Sequence, residues 1–123
     1  MRRTTYQELL EVIASLEWLV ITISKEIERA EASGESQVIL SQQLKEAQAE
    51  LQEKQGIITA YADFKNKLSD KYAELFEKYY IDGKILGIVA KELERSSGHV
   101  RKLHVSLSKM IRMYKALQAK GLV

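Results

Sequence analysis

The residues of this chain best suited to chemistry lie near its C-terminus, in the stretch 86–105, LGIVAKELERSSGHVRKLHV. Read as two helices around a turn, it leaves Ser97, Gly98, Arg101, Lys102 and Val105 outside on the second helix. Small, polar and basic side chains there suit a helix end pushed into a DNA groove. Arg101 has the fork geometry for a guanine edge, and Lys102 has the reach for a phosphate. Ser96 can cap the second helix while holding a hydroxyl near phosphate. Gly98, in the first turn, costs helix stability and would allow backbone to approach a phosphate or base closely. His99 is a further candidate contact. Lys109, Arg112, Lys115 and Lys120 extend the basic surface for non-specific phosphate attraction. His99 and His104 are five apart and share no face, so they make no metal pair.

No catalytic constellation accompanies them. Glu46, Glu50 and Glu53 follow helical spacing as a solvated face. Phosphate loops, nucleophile elbows and metal-ligand clusters are missing. The chain contains no cysteine, so it has no thiolate zinc site, thiol nucleophile or disulfide framework, which fits a reducing cytoplasm. The expectation is a protein without enzymatic activity or cofactor.

Charge divides the chain in two. From Lys84 onward there are nine Lys or Arg and two acids, a balance of +7; residues 1–83 carry ten bases and fifteen acids, a balance of −5. A basic, motif-bearing end joined to an acidic end is the electrostatic footprint of a nucleic-acid reader on an interaction stalk.

The elements that must position these residues read as helices. The 123 residues include no proline and only six glycines, a composition that favours helix nearly throughout. In the C-terminal stretch, Ala90 falls where one helix must pass close to the next. Val100 plugs the angle between them, and Val89, Leu93 and Leu103 complete an apolar wedge. Glu94-Arg95-Ser96 is short enough for the sharp turn. Upstream, Tyr6, Leu9, Ile13, Leu16, Val20, Ile23, Ile27 and Ala30 alternate at spacings of 3 and 4, the seam of a coiled coil. Thr4 or Thr5 is the expected cap, with Glu8 in the first turn. Gly34 ends this helix, and Ser36 is the expected cap of the next. The second seam is Leu40, Leu44, Ala47, Leu51, Lys54, Ile58 and Tyr61. Its phase then shifts to Phe64, Leu68, Tyr72 and Leu75, so a bend or new helix is expected near 66–70. Ser69 is the expected cap of a third helix over 70–81, and Asp82-Gly83 makes a turn. The short first loop predicts an antiparallel hairpin.

A two-stranded hairpin needs one apolar stripe per helix, and the first helix has more. Leu10, Val12, Trp18, Leu19 and Ile21 lie off its seam, and leaving five such side chains in water would be wasteful. Either the C-terminal domain or a second subunit must cover them. The second subunit is the favoured expectation, because DNA readers of this type commonly pair on two-fold sites. The expected oligomerisation surface comprises Leu9, Ile13, Leu16, Trp18, Leu19, Val20, Ile23 and Ile27. Two N-terminal arginines are not followed by an apolar region, and the run 16–23 is interrupted by Glu17. Neither a signal peptide nor a membrane helix is expected.

Tyr79-Tyr80-Ile81-Asp82-Gly83-Lys84, followed by Ile85-Leu86 and Val89-Ala90-Lys91-Glu92-Leu93, resembles a common opening of sigma-factor region 4. Ser96-Ser97-Gly98-His99-Val100-Arg101-Lys102-Leu103 continues the resemblance into the recognition helix. The stretch looks most like the small phage-encoded regulators with sigma-like C-termini, of the ArpU and RinA kind. The similarity covers roughly residues 70–112. It implies a helix that reads a promoter-type element in the major groove through Ser97, Gly98, Arg101 and Lys102. Three positions depart from the pattern. Glu94 stands where glycine, asparagine or aspartate is usual, Arg95 replaces an apolar residue, and Gly87 interrupts the first helix of the motif.

The expected architecture is all-α: a helical hairpin over 1–67 for oligomerisation or partner binding, then a sigma-region-4-like helix-turn-helix domain over 68–123. The expected function is sequence-preferring binding of double-stranded DNA by a homo-oligomer, a dimer in first place, in phage or prophage transcription control in the cytoplasm. RNA polymerase is a further candidate partner. The alternatives are a small terminase subunit that marks viral DNA for packaging, and a coiled-coil protein-interaction module whose basic end never touches DNA.

Overall fold

The computed structural model describes residues 3–114. The chain is all-helical, with no strand among the described residues. Its elements are α1 (Thr5–Ser33), α2 (Val38–Asn66), α3 (Asp70–Phe76) continued by a π-helical turn (Glu77–Ile81), α4 (Leu86–Glu92) and α5 (Ser97–Met113). No helix of the described residues is long and apolar enough to cross a membrane.

The chain divides into two compact units, Leu9–Gly56 and Met1–Glu8 with Ile57–Val123. This differs from the division expected near residue 67. The boundary falls inside α2, beside Gly56, where burial passes to a new set of side chains: Ile57, Ala60, Tyr61 and Phe64.

In the unit Leu9–Gly56 the heptad seam of α1 is the inward one. Leu16, Ile23 and Ala30 are buried, and Leu9, Ile13, Val20 and Ile27 are half-buried. Ala47 of α2 is buried as well, and Leu19, Ile23, Gln43, Glu46, Ala47 and Glu50 line one cleft. Gly34 has φ 73°. It closes α1 in a Schellman motif, with Glu35 N–H donating to the Ala30 carbonyl at 2.9 Å and Gly34 N–H to Glu31 at 3.3 Å. Ser36 does not cap α2. The carbonyl of Gln37 accepts the Ser41 N–H at 2.8 Å and opens the helix instead. The expected cap was one residue early.

The other unit is organised by aromatic rings. Phe76, fully buried, has ring centroids 5.8 Å from Tyr61, 5.2 Å from Phe64 and 5.4 Å from Tyr80. Tyr6 lies 5.1 Å from Tyr61, and Tyr114 lies 5.2 Å from Phe64. The Tyr61 hydroxyl is buried with no hydrogen-bond partner among the described residues. Burial, with Tyr6 and Tyr80 nearby, pushes its pKa up to about 12.

Thr4 explains why the first eight residues belong to this unit. Its Oγ1 accepts the Gln7 N–H at 3.1 Å, and Gln7 Oε1 accepts the Thr4 N–H at 3.0 Å, a reciprocal capping box. The same hydroxyl donates to the carbonyl of Ile81 at 3.2 Å, and Gln7 Nε2 donates to the carbonyl of Asp82 at 3.2 Å. The start of α1 is therefore hydrogen-bonded to the chain end of the π-helical turn.

The helix expected over 70–81 is present but not uniform. Ser69 has the extended backbone of a cap, yet its side chain makes no capping hydrogen bond. After Phe76 the helix widens, and Asp82 N–H donates to the Glu77 carbonyl at 2.8 Å. In this wider turn Tyr79 and Tyr80 both face His104, at 4.6 and 5.8 Å between ring centroids. Gly83, with φ 78°, ends the element, as the Asp-Gly pair predicts.

Candidate nucleic-acid interface

The two helices of the basic end meet through the wedge read from sequence. Val89, Ala90, Val100 and Leu103 are buried and Leu93 is half-buried. The turn between α4 and α5 is a Schellman motif: Arg95 N–H donates to the Ala90 carbonyl at 3.0 Å, and Glu94 N–H to Lys91 at 3.2 Å. The motif needs a left-handed residue, and Glu94 supplies it with φ 55°. A side chain in that region costs roughly 1–2 kcal/mol against glycine. Glu94→Gly is therefore expected to raise thermal stability by about 1 kcal/mol, read as a higher melting temperature with unchanged helix content. A lower melting temperature would show that the glutamate contributes something the turn geometry does not.

Helix α5 starts at a formed cap. Ser96 Oγ accepts the backbone N–H of His99 at 3.1 Å. The helix then carries two opposed stripes. Val100, Leu103, Leu107 and Ile111 are buried. Gly98, Lys102, Val105, Lys109 and Arg112, at spacings of 4, 3, 4 and 3, are exposed, and Arg101 joins them one turn before Val105. From Gly98 to Arg112 the stripe runs about 21 Å. Ser96 and Ser97 are exposed at its N-terminal end. All nine candidate contact residues are thus solvent-accessible. Eight gather on this face or its leading end. His99 lies to the side, lining a small cleft with Lys71, Glu74, Leu93, Arg95 and Leu103. Lys115 and Lys120 lie outside the described residues.

Two arrangements were not visible in the sequence. Glu92 collects two lysines: Lys78 Nζ at 2.7 Å and Lys84 Nζ at 2.8 Å. Hydrogen bonds from Lys78 and then Lys84 hold the Glu92 carboxyl below its usual range, and the bond that Lys78 donates to Glu92 holds the lysine above its own. Lys84, counted with the basic end, is thereby tied to a carboxylate that it shares with Lys78. By contrast, Arg101, Lys102, Lys109 and Arg112 form no ion pair among the described residues, so their charge faces solvent. The second arrangement is a polar run under α5, in which the Tyr80 hydroxyl meets His104 Nε2 at 3.1 Å and Ser108 Oγ at 3.4 Å. His104 is an anchor of the helix rather than part of its outer face. Partners 8, 14, 24 and 28 residues apart leave no local spacing to read.

Among the described residues no group of three or more His, Cys, Asp or Glu side chains gathers to hold a metal ion. On α1, Trp18 is 69% exposed, and Leu10, Val12, Leu19 and Ile21 are also exposed. Of the expected oligomerisation residues, Leu16 and Ile23 are buried within the chain itself; Leu9, Ile13, Val20 and Ile27 are half-buried; Trp18 and Leu19 remain open. No known protein-family model, curated protein or solved structure matches this chain.

Proposed function

We propose that this protein binds double-stranded DNA with sequence preference, through a helix-turn-helix made of α4 and α5, and acts as a homodimer in phage or prophage transcription control. The observation that carries the DNA reading is the outer stripe of α5. It sets four cations that form no ion pair among the described residues, and a glycine, on one helix face, opposite a fully packed apolar stripe. Cations without carboxylate partners are free to displace counterions from phosphate. The regulatory setting rests on the resemblance to sigma-factor region 4. The test is a fluorescence-polarisation titration of the full chain against duplexes selected from a random pool, repeated over a range of salt. Saturable binding that prefers the selected duplex and weakens with salt supports the reading. No binding to any duplex at low salt rejects it and favours the protein-interaction module.

Gly98 offers a test in which stability and binding move in opposite directions. A Cβ placed there meets nothing within 4 Å among the described residues, so no contact among them requires glycine. Gly98→Ala is expected to stabilise the protein by about 0.5–1 kcal/mol and to weaken DNA binding, since the added methyl stands where the duplex would approach. A thermal melt and a polarisation titration on the same preparation read both. Stabilisation with unchanged affinity would remove Gly98 from the interface.

The dimer reading follows from the far side of α1. Leu10, Ala14, Trp18 and Ile21 share one exposed face at spacings of 4, 4 and 3. Two such helices crossed antiparallel about residue 16 would set each Trp18 over the partner's Ala14, and Leu10 over Ile21, a self-complementary pairing of the kind a two-fold axis demands. Trp18→Glu is expected to convert a dimer to a monomer in light scattering, because a charge would be buried unpaired. An unmodified chain that is monomeric at micromolar concentration contradicts the dimer. A ring of eight or more subunits points to the packaging role instead.

A further inference from the structure

Val105 is the one large apolar side chain on the outer stripe of α5 among the described residues up to Arg112, and it is 55% exposed. It sits one turn, about 6 Å, from Arg101 on one side and from Lys109 on the other. The inward stripe of the helix is complete without it, since Val100, Leu103, Leu107 and Ile111 already fill that role. Its side chain has no polar atom, so it can neither bind phosphate nor read a donor or acceptor. Against the edges of base pairs in a major groove, the one apolar projection it can meet is the 5-methyl group of thymine.

Valine is short, so such a contact requires the helix to lie deep in the groove. Gly98 stands on the same stripe two turns earlier, and a Cβ built there meets no atom of the described residues within 4 Å. A side chain missing at the leading end and a branched apolar one at the centre together describe a face shaped for close approach to base edges. A face serving only phosphate attraction has no use for either. We propose that Val105 is a specificity-determining residue that recognises thymine through its 5-methyl group. This inference rests on the DNA-binding reading above. It adds that a guanine read by Arg101 and the thymine read by Val105 lie about two base steps apart, the distance between their side chains along the helix.

The experiment uses the full-length chain and a duplex selected from a random pool. Each thymine of that duplex is replaced in turn by deoxyuridine, which removes the methyl group and leaves the Watson–Crick pairing intact. The expected result is one position, or one per half-site, where deoxyuridine weakens binding roughly three- to fivefold, the scale set by one buried methyl-sized group. Val105→Ala should bind the thymine and deoxyuridine duplexes alike, while its melting temperature stays close to that of the unmodified chain. Tight binding with no deoxyuridine-sensitive position overturns the inference and leaves the DNA-binding reading standing. An equal deoxyuridine effect in Val105→Ala also overturns it, because the methyl group would then be read elsewhere. Failure of the unmodified chain to bind any duplex removes both.

Discussion

Phe76→Ala is expected to cost about 3–5 kcal/mol of folding stability, the largest single effect among the substitutions considered. The ring is fully buried and lies within 6 Å, centroid to centroid, of Tyr61, Phe64 and Tyr80. Its removal subtracts the transfer energy of a phenyl group and leaves a space that three rigid rings cannot refill. Small domains have a total stability of about 5–15 kcal/mol, so the variant should unfold at markedly lower urea. Phe76→Leu keeps most of the volume and should lose less. Urea titration followed by far-ultraviolet circular dichroism reads both. A loss below about 1 kcal/mol for the alanine variant would show that the aromatic cluster is not the organising core of its unit. The effect extends to function, because α3 packs against α5 and holds the inward stripe that turns the cations outward.

Arg101→Ala and Lys109→Ala are expected to differ in kind. If α5 enters the major groove by its N-terminal half, Arg101 reaches a base edge. Its loss should cost about 1–3 kcal/mol on the preferred duplex and relax discrimination at that position. Lys109, two turns further along the same face, meets phosphate. Its loss should weaken all sequences alike and lower the slope of affinity against salt by about one. Both residues are exposed and unpaired among the described residues, so neither substitution breaks an internal contact, and stability should change little. Polarisation titrations on preferred and scrambled duplexes at several salt concentrations separate the cases. Equal, sequence-blind losses for the two variants would reduce the interface to a basic patch.

Much of the molecule was legible in one dimension because helices place neighbours at fixed spacing. The apolar positions of α1 at spacings of 3 and 4 mark its inward seam, and Leu16, Ile23 and Ala30 are buried along it. The Ser-Gly pair marks the end of α1 and the Asp-Gly pair a turn, and Gly34 and Gly83 take positive φ there. In α5 the same periodicity separated Val100 and Leu103 from Arg101, Lys102 and Val105, and the observed burial agrees residue by residue. Glu94 is instructive in a different way. As a sequence it only departs from the residues usual at that turn. The backbone there nevertheless turns left-handed, because the turn's hydrogen bonds to Ala90 and Lys91 require it.

Local spacing could not reach contacts between distant segments. Thr4 looked like an ordinary cap, but its hydroxyl also meets the carbonyl of Ile81, 77 residues away. That contact helps explain why the first residues join the unit of the last half rather than that of their own helix. Glu92 gathers Lys78 and Lys84, so those two cations are held in place by a carboxylate, while the cations of α5 form no ion pair among the described residues. His99 and His104 were equally ambiguous by type. Packing sent His104 under the helix onto Tyr79 and Tyr80 and left His99 at the edge of a cleft. The sequence by itself determined which face of each helix is apolar, because a 3.6-residue repeat is a local property. Only the tertiary structure decided which polar groups are consumed by partners and which remain exposed, because that depends on segments brought together by burial.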